Sequence, residues 1–215
     1  MNAIEQYYES IKPIVEDVNK VYSECEMLLS EQEAFNIIQL INMTSKLEGD
    51  IAEVGVYQGG SARLISKYKH LDKELYLFDT FTGLPYKSND SGDPHVISEF
   101  KYPFENIKKY FEYRGDVNIY QGIFPQDTGK FIKDEKFSFV HLDVDVYQST
   151  YDSLEFFYPR MVNGGIILSH DYINLMDVRN AFHDFVKDKK CDIFPLCMSN
   201  FNHGLIGSQC MIVKV

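Results

Sequence analysis

The chain contains no tryptophan, and its four cysteines (Cys25, Cys191, Cys197 and Cys210) form neither a CxxC pair nor a zinc-ligand spacing. Scattered cysteines in a chain of this size are more often reduced core residues than disulfide partners, and the expected compartment is the cytoplasm. No apolar run approaches the roughly 18 residues needed to span a bilayer. The opening stretch MNAIEQYYESIKPIVEDVNK carries acids throughout and has no apolar signal core. Basic residues are the scarcer charge: 21 Lys and Arg against 32 Asp and Glu leave a net charge of −11. That balance argues against a nucleic-acid backbone or an anionic membrane as partner. The one basic cluster, Lys187, Lys189 and Lys190, reads as a solvated helix end. Internal repeats and low-complexity segments are also missing.

What is present is enough apolar residue for one core: 215 residues, 45% of them hydrophobic, with 15 Tyr and 16 Phe. Residues 1–48 read as helical. Ser30 with Glu33 makes a capping box, after which Ala34, Ile37, Ile38, Ile41 and Leu47 recur at helical spacing up to a stop at Gly49. From there short apolar runs predict strands at 51–55, 75–79, 117–120, 137–143 and 165–169, with helices near 60–69, 103–113, 126–133 and 148–161. Near-continuous apolar strands separated by helices imply a parallel sheet covered on both faces. The tail runs CDIFPLCM and SQCMIVKV, joined by SNFNHGLIG, have no helix between them and predict an antiparallel pair at the edge. The expectation is therefore an α/β, doubly wound, mostly parallel seven-stranded sheet, Rossmann-like, with an N-terminal helical extension. Residues 85–100 form a long polar loop with two prolines, the usual character of a lid or binding loop.

The stretch DIAEVGVYQGGSARLIS places Glu53 ahead of Gly55, Gly59 and Gly60. In open α/β sheets ligands sit at the carboxyl ends of the strands. The dinucleotide fingerprint needs a close G-x-G pair, and here the spacing is G-x-x-x-G-G with an acid two residues before it. An acidic turn is a poor cradle for pyrophosphate and a good one for a cation such as the sulfonium and amino group of S-adenosylmethionine. Asp79, closing the second strand, suits the ribose diol of that cofactor. The plainer reading makes Glu53 a capping acid and the glycines only a turn. The fourth and fifth strands deliver HLDVDVYQST and LSHDY, so Asp143, Asp145, His170 and Asp171 can converge over the same cleft. His141, inside an apolar strand, reads as a hydrogen-bonded core histidine. Asp145 reads as a cap of the helix at 148–161 or as a neighbour of the site. His70, His95, His183 and His203 form no constellation, although His95 lies in the loop where substrate would arrive.

Taken as an ordered set, AEVGVYQGGSA, LYLFDTFTGLP, GIFPQDT, HLDVDVYQSTYDSLEFFYPRMVNGG and SHDY resemble the macrocin O-methyltransferase family over roughly residues 49–172. Its members are class I S-adenosylmethionine-dependent enzymes that methylate sugar hydroxyls of natural products. The resemblance implies that Glu53, Gly55, Gly59 and Ser61, with Tyr57 in the same motif, bind the methionine part of the cofactor. Asp79, with Thr80, would bind the ribose, and Gln121 and Gly122 would lie at the adenine. It also implies a divalent metal held by Asp143, His170 and Asp171, with Asp143 touching cofactor and metal alike. His170 stands where the family has an aspartate. Magnesium prefers oxygen ligands, and an imidazole suits manganese or another transition metal better; as an alternative, His170 is a general base without metal contact.

The mechanism implied is metal-assisted O-methylation of a glycosyl hydroxyl, with Asp143 as the catalytic base. The alternatives are a catechol-type small-molecule methyltransferase and a cofactor-binding protein whose catalytic site has decayed. Residues 1–48 would form a helical cap on a methyltransferase domain of residues 49–215. The apolar residues Ile4, Tyr7, Tyr8, Ile11, Ile14, Val15, Val18 and Tyr22 exceed what a cap needs, so the expected partners are a small-molecule or glycosyl acceptor and further copies of the chain.

Overall fold

Ser30 opens a helix as its spacing predicts. In the computed structural model its backbone N–H and its hydroxyl each donate to Glu33 Oε2 at 2.8 Å, and the hydroxyl accepts from the Glu33 N–H at 3.3 Å. The structure describes residues 2–93, 95–196, 198–200, 204–206 and 208–215, with only the backbone path at 198–200 and 204–206. Two helices fill the N-terminal segment, α1 (Ala3–Glu24) and α2 (Glu31–Thr44), the first capped by Asn2 and Glu5 in the same reciprocal manner. Helix α2 buries Ala34, Ile37, Ile38 and Ile41, the face its periodicity marked.

The chain then alternates β1 (Asp50–Val54), α3 (Gly60–Tyr68), β2 (Leu75–Asp79), α4 (Phe104–Phe111), β3 (Val117–Gln121), β4 (Phe137–Leu142), α5 (Tyr147–Phe157), β5 (Met161–Ser169) and α6 (Met176–Val186). Short strands β6 (Phe194–Pro195), β7 (Met198–Asn200), β8 (Gly204–Ile206) and β9 (Cys210–Val213) complete it. Seven strands form one sheet in the order β3-β2-β1-β4-β5-β9-β6. Strands β1 to β5 are parallel, and β9 runs antiparallel to both β5 and β6. The expected antiparallel edge pair is therefore β6 with β9.

Successive residues along each central strand go to opposite layers. Ile51, Leu77, Phe139 and Ile166 join Val18, Val21, Ile37 and Ile38 of α1 and α2 in one cluster. Ala52, Phe78, Val140 and Ile167 join Leu154, Phe157, Val178 and Phe182 of α5 and α6 in the other. Burial on both faces is why these strands lack a polar alternation.

Four details depart from the sequence expectation. The helix expected at 126–133 is only a 3₁₀ turn, Gly129–Ile132. Gly129 packs where a Cβ would stand 2.8 Å from Phe156 and 2.9 Å from Pro125, so the segment follows the neighbouring surface rather than a helix period. Helix α5 ends at Phe157, a second 3₁₀ turn (Tyr158–Arg160) follows, and β5 begins at Met161 instead of 165. Helix α6 was signalled only by its basic end, although Val178, Ala181, Phe182 and Phe185 carry a helical spacing and are buried. The small antiparallel pair β7 and β8 starts at Met198, the last residue of CDIFPLCM, and runs into the connection SNFNHGLIG; residues 201–203, and with them His203, lie outside the described residues, as does Cys197. Among the described residues no helix is long and apolar enough to cross a membrane.

Candidate active site

The sheet order reverses between β1 and β4, and the cleft opens there, at the carboxyl ends of the strands. Gly55 closes β1 at φ +90°, with the Asp143 carbonyl oxygen where a Cβ would be, 1.7 Å away. That close approach lets Asp143 N–H donate to Val54 O at 2.9 Å while the Gly55 N–H donates to Phe78 O at 2.9 Å. The turn after Gly55 is held from the next strand. Asp79 Oδ2 accepts from the N–H groups of Val56 (2.7 Å) and Tyr57 (2.8 Å), and Oδ1 accepts from Phe81 N–H (2.6 Å). Burial pushes the Asp79 carboxyl up, against the pull of those three N–H groups.

The cleft has a volume of about 400 Å³. Of the residues singled out by sequence, Gly55, Tyr57, Ser61, Asp79, Thr80, Gly122, Asp143, His170 and Asp171 line it. Glu53, Gly59 and Gln121 do not. Glu53 is fully buried behind the wall, opposite His141 in the β1–β4 register, with its Oε1 2.8 Å from His141 Nδ1. His141 is thus the hydrogen-bonded core histidine expected, and burial first of all pushes the Glu53 carboxyl up. Gly59 is the N-cap of α3, and Gln121 is exposed, its amide donating to Thr80 O at 3.2 Å. Gly60, which the sequence treated only as part of the turn, is on the wall and packs against Met27.

At the ends of β4 and β5 the acids converge. His170 Nδ1 lies 2.8 Å from Asp171 Oδ2 and 3.3 Å from Asp143 Oδ1, and His170 Nε2 lies 3.2 Å from Glu33 Oε1. Each of Asp143, His170 and Asp171 offers an atom within 4.8 Å of the others, the spacing of a metal-ligand set. Burial works against a charged imidazole, but Asp143, Asp171 and Glu33 outweigh it and hold His170 well above its usual range. Asp145 does not cap α5, whose N-cap is Val146 with no side-chain bond. It sits buried at φ +61°, hydrogen-bonded to Asp171, and burial together with the charges of Asp143 and Asp171 pushes it far up. Asp171 is likewise in the left-handed region, φ +56°. Such backbone positions cluster at functional sites.

Sequence reading missed several wall residues: Glu26, Met27, Leu28, Leu29, Glu33, Asn174 and Ser208. The first five come from the N-terminal helical segment. Glu26 Oε2 accepts from Tyr57 Oη at 2.7 Å and from the Gln58 amide at 3.1 Å, tying that segment to the glycine turn. Pro85, His95 and Phe100 bring the 85–100 loop to the wall, where Tyr57 meets Phe100 edge-on with ring centroids 5.7 Å apart. Asp177 Oδ2 accepts from both Asn89 N–H (3.0 Å) and Tyr147 N–H (3.1 Å), tethering the loop to the start of α5.

Comparison with known proteins gives this arrangement relatives. The chain is 28% identical over 155 residues to the 8-demethyl-8-(2,3-dimethoxy-alpha-L-rhamnosyl)-tetracenomycin-C 4'-O-methyltransferase of Streptomyces olivaceus, over 64% of this chain and 58% of that protein. It is 25% identical over 157 residues to the demethyldecarbamoylnovobiocin O-methyltransferase of Streptomyces niveus, over 66% of this chain and 59% of that one. It thus spans somewhat under two thirds of the length of these curated relatives. Among solved structures the O-methyltransferase NovP superposes with a TM-score of 0.69 at 19% identity, covering 86% of this chain and 81% of NovP. CalS11, a calicheamicin methyltransferase, gives 0.69 at 16% identity over 94% and 91%; both likenesses are of fold. Residues 32–197, from α2 to the end of the parallel sheet and beyond α6, match the family model described as Macrocin-O-methyltransferase (TylF), and the chain belongs to that family.

Proposed function

We propose that this chain is an S-adenosylmethionine-dependent O-methyltransferase acting on a sugar hydroxyl of a glycosylated natural product or polysaccharide, with a divalent ion held by Asp143, His170 and Asp171. The observation that carries this reading is the charge of the cleft wall. Glu26, Glu33, Asp79, Asp143, Asp145 and Asp171 line it, and among the described residues no Lys or Arg does. His95 and His170 are the basic side chains on that wall among the described residues, and a cleft in which acids so outnumber them concentrates cationic ligands, which suits a sulfonium and an ammonium and disfavours a pyrophosphate. In this reading Gly55, Tyr57 and Ser61 face the methionine part, Asp79 and Thr80 the ribose, and Gly122 the adenine. Glu53, Gly59 and Gln121 act from behind, by shaping the turns. Residues 1–48 cap the cleft of the 49–215 domain, and the 85–100 loop is its lid.

The ligand set fits a small divalent ion. Two adjacent ligands at about 2.1 Å from such an ion stand about 3 Å apart, and His170 Nδ1 lies 3.3 Å and 2.8 Å from its two carboxylate neighbours. Bound there, the ion would supply Lewis acidity toward neighbouring hydroxyls, and S-adenosylmethionine would supply the methyl group. The chain's own residues do the rest. Asp143 accepts the hydroxyl proton as the oxygen–methyl bond forms and the sulfur–methyl bond breaks. Asp143, His170 and Asp171 would hold the ion between them, and Asp79 fixes the turn on which the cofactor rests. The lid excludes water.

Methyl transfer from labelled S-adenosylmethionine to a panel of rhamnosylated and other glycosylated acceptors tests the reading. Turnover is expected to fall to background with a chelator and to return with a divalent ion, manganese restoring at least as much as magnesium because one ligand is imidazole. Transfer that persists without metal would remove the ion. Transfer confined to catechols would move the acceptor class, and cofactor binding without any transfer would leave a binding module.

The homo-oligomer expected from α1 is also a proposal. Val18 and Val21 are covered by the chain's own core, but Ile4, Tyr7 and Tyr8 toward the helix start are 80%, 60% and 64% exposed. We assign that half of α1 to contact with a second copy. Light scattering at micromolar concentration is expected to give at least a dimer, and Ile4→Glu with Tyr8→Glu a monomer; a monomeric parent chain would end the proposal.

A further inference from the structure

Histidine in a ligand set raises a question that aspartate does not, namely which of its two nitrogens is the ligand. His170 settles this by position. Its Nδ1 faces Asp143 and Asp171, and its Nε2 faces the other way, 3.2 Å from Glu33 Oε1. Glu33 is held independently of the imidazole. Oε2 accepts from Ser30 N–H and Oγ–H at 2.8 Å each, and Oε1 accepts from Ser208 N–H at 2.7 Å. Both His170 and Glu33 are buried, at 8% and 4% exposure, on the wall of the cleft.

From this geometry we infer that Glu33 is a positioning residue for the metal site: it accepts the Nε2 proton of His170 and thereby assigns Nδ1 as the ligand atom. The inference rests on the metal-dependent reading above. A neutral imidazole carries one N–H and one lone pair. Nδ1 is the nitrogen on the side of Asp143 and Asp171, so with an ion held there the lone pair is used at Nδ1, the proton is on Nε2, and Glu33 Oε1 is the acceptor placed to receive it. A carboxylate behind a ligating histidine fixes the ring's orientation and tautomer and strengthens the ligand. Glu33 therefore joins two tasks: the helix cap of α2, through Oε2, and the orientation of His170, through Oε1. The helical cap of the domain reaches the reacting end of the cleft by this contact.

The test uses the full chain with ¹⁵N-labelled histidine and Zn²⁺ alone as a diamagnetic probe. In the loaded wild-type protein, long-range ¹H–¹⁵N spectra are expected to give His170 a protonated Nε2 and a metal-ligated Nδ1. Calorimetry with Mn²⁺ is expected to show Glu33→Gln binding the ion about 10–100-fold more weakly. Ser30→Ala, which removes cap bonds but leaves Oε1 in place, is expected to keep metal affinity. A metal-ligated Nε2, or unchanged metal affinity in folded Glu33→Gln, would overturn the inference and leave the metal site standing. Absence of divalent-ion binding by the wild-type chain would overturn both. The spectrum needs no variant, so a Glu33→Gln chain that fails to fold does not spare the proposal.

Discussion

Asp143→Asn is expected to lower methyl transfer by roughly 10²–10⁴-fold, the range for loss of a positioned general base, while S-adenosylmethionine binding stays within a few-fold of wild type. The substitution is nearly isosteric. It leaves the backbone bond from Asp143 N–H to Val54 O and the contact of its carbonyl with Gly55 untouched, so the β1–β4 junction persists. What changes is one half-buried carboxylate whose Oδ1 lies 3.3 Å from His170 Nδ1. An amide neither accepts a proton at neutral pH nor ligates a cation as strongly, so base and ligand are lost together. Asp79→Ala is the contrasting variant. It strips the acceptor from three backbone N–H groups, and cofactor affinity is expected to fall by about 1–3 kcal/mol, the cost of losing hydrogen bonds to a charged group. Calorimetry and single-turnover transfer on both variants separate chemistry from binding. Full activity in Asp143→Asn would remove the proposed base, since Asp145, the next carboxylate, is buried against Asp171, and burial and its acidic neighbours push its carboxyl far up.

The parts of this molecule legible in sequence are those whose cause is local. Strands β1, β2 and β4 announce themselves as apolar runs because both faces are buried. Helix α2 is legible because its cap and its apolar period lie within one stretch. Asp79, Asp143 and Asp171 stand out because strand ends in a doubly wound sheet meet at the cleft. The rest depends on packing between distant segments. Glu33 had a complete local explanation as the acid of a capping box, and its second contact is with Ser208, 175 residues away. Nothing local marks that pairing. Glu53 misled in the opposite sense. An acid beside a glycine turn reads as facing a ligand, yet the parity that buries Ile51 also turns Glu53 inward, and register brings His141 opposite to receive it. Asp145 carries the composition of a helix cap, yet it stands at φ +61° with its carboxyl against Asp171 instead.

Gly55→Ala is expected to be the most damaging single substitution at the cleft that removes no functional side chain. Two costs combine at this position. At φ +90° a residue with a Cβ is strained, at about 1–3 kcal/mol. The added methyl would also sit 1.7 Å from Asp143 O and 2.7 Å from its carbonyl carbon, which are backbone atoms that no rotamer change can move. Overpacking of this kind costs roughly another 1–3 kcal/mol, because β1 and β4 must part at the end where the cofactor would bind. Near the middle of those ranges, and at about 2–4 °C per kcal/mol for a chain of this length, melting should fall by about 10 °C. Gly164→Ala isolates the first cost. Gly164 has a similar φ of +81°, but its nearest contact for a Cβ is the flexible Leu47 side chain at 3.6 Å. It is expected to lose only about 1–3 kcal/mol to backbone strain and to keep cofactor affinity, whereas Gly55→Ala loses it as Asp143 is displaced from the turn that Asp79 holds. Equal melting temperatures for the two variants, or cofactor binding retained in Gly55→Ala, would mean that the β1–β4 approach yields to a methyl group and does not set the geometry of the site.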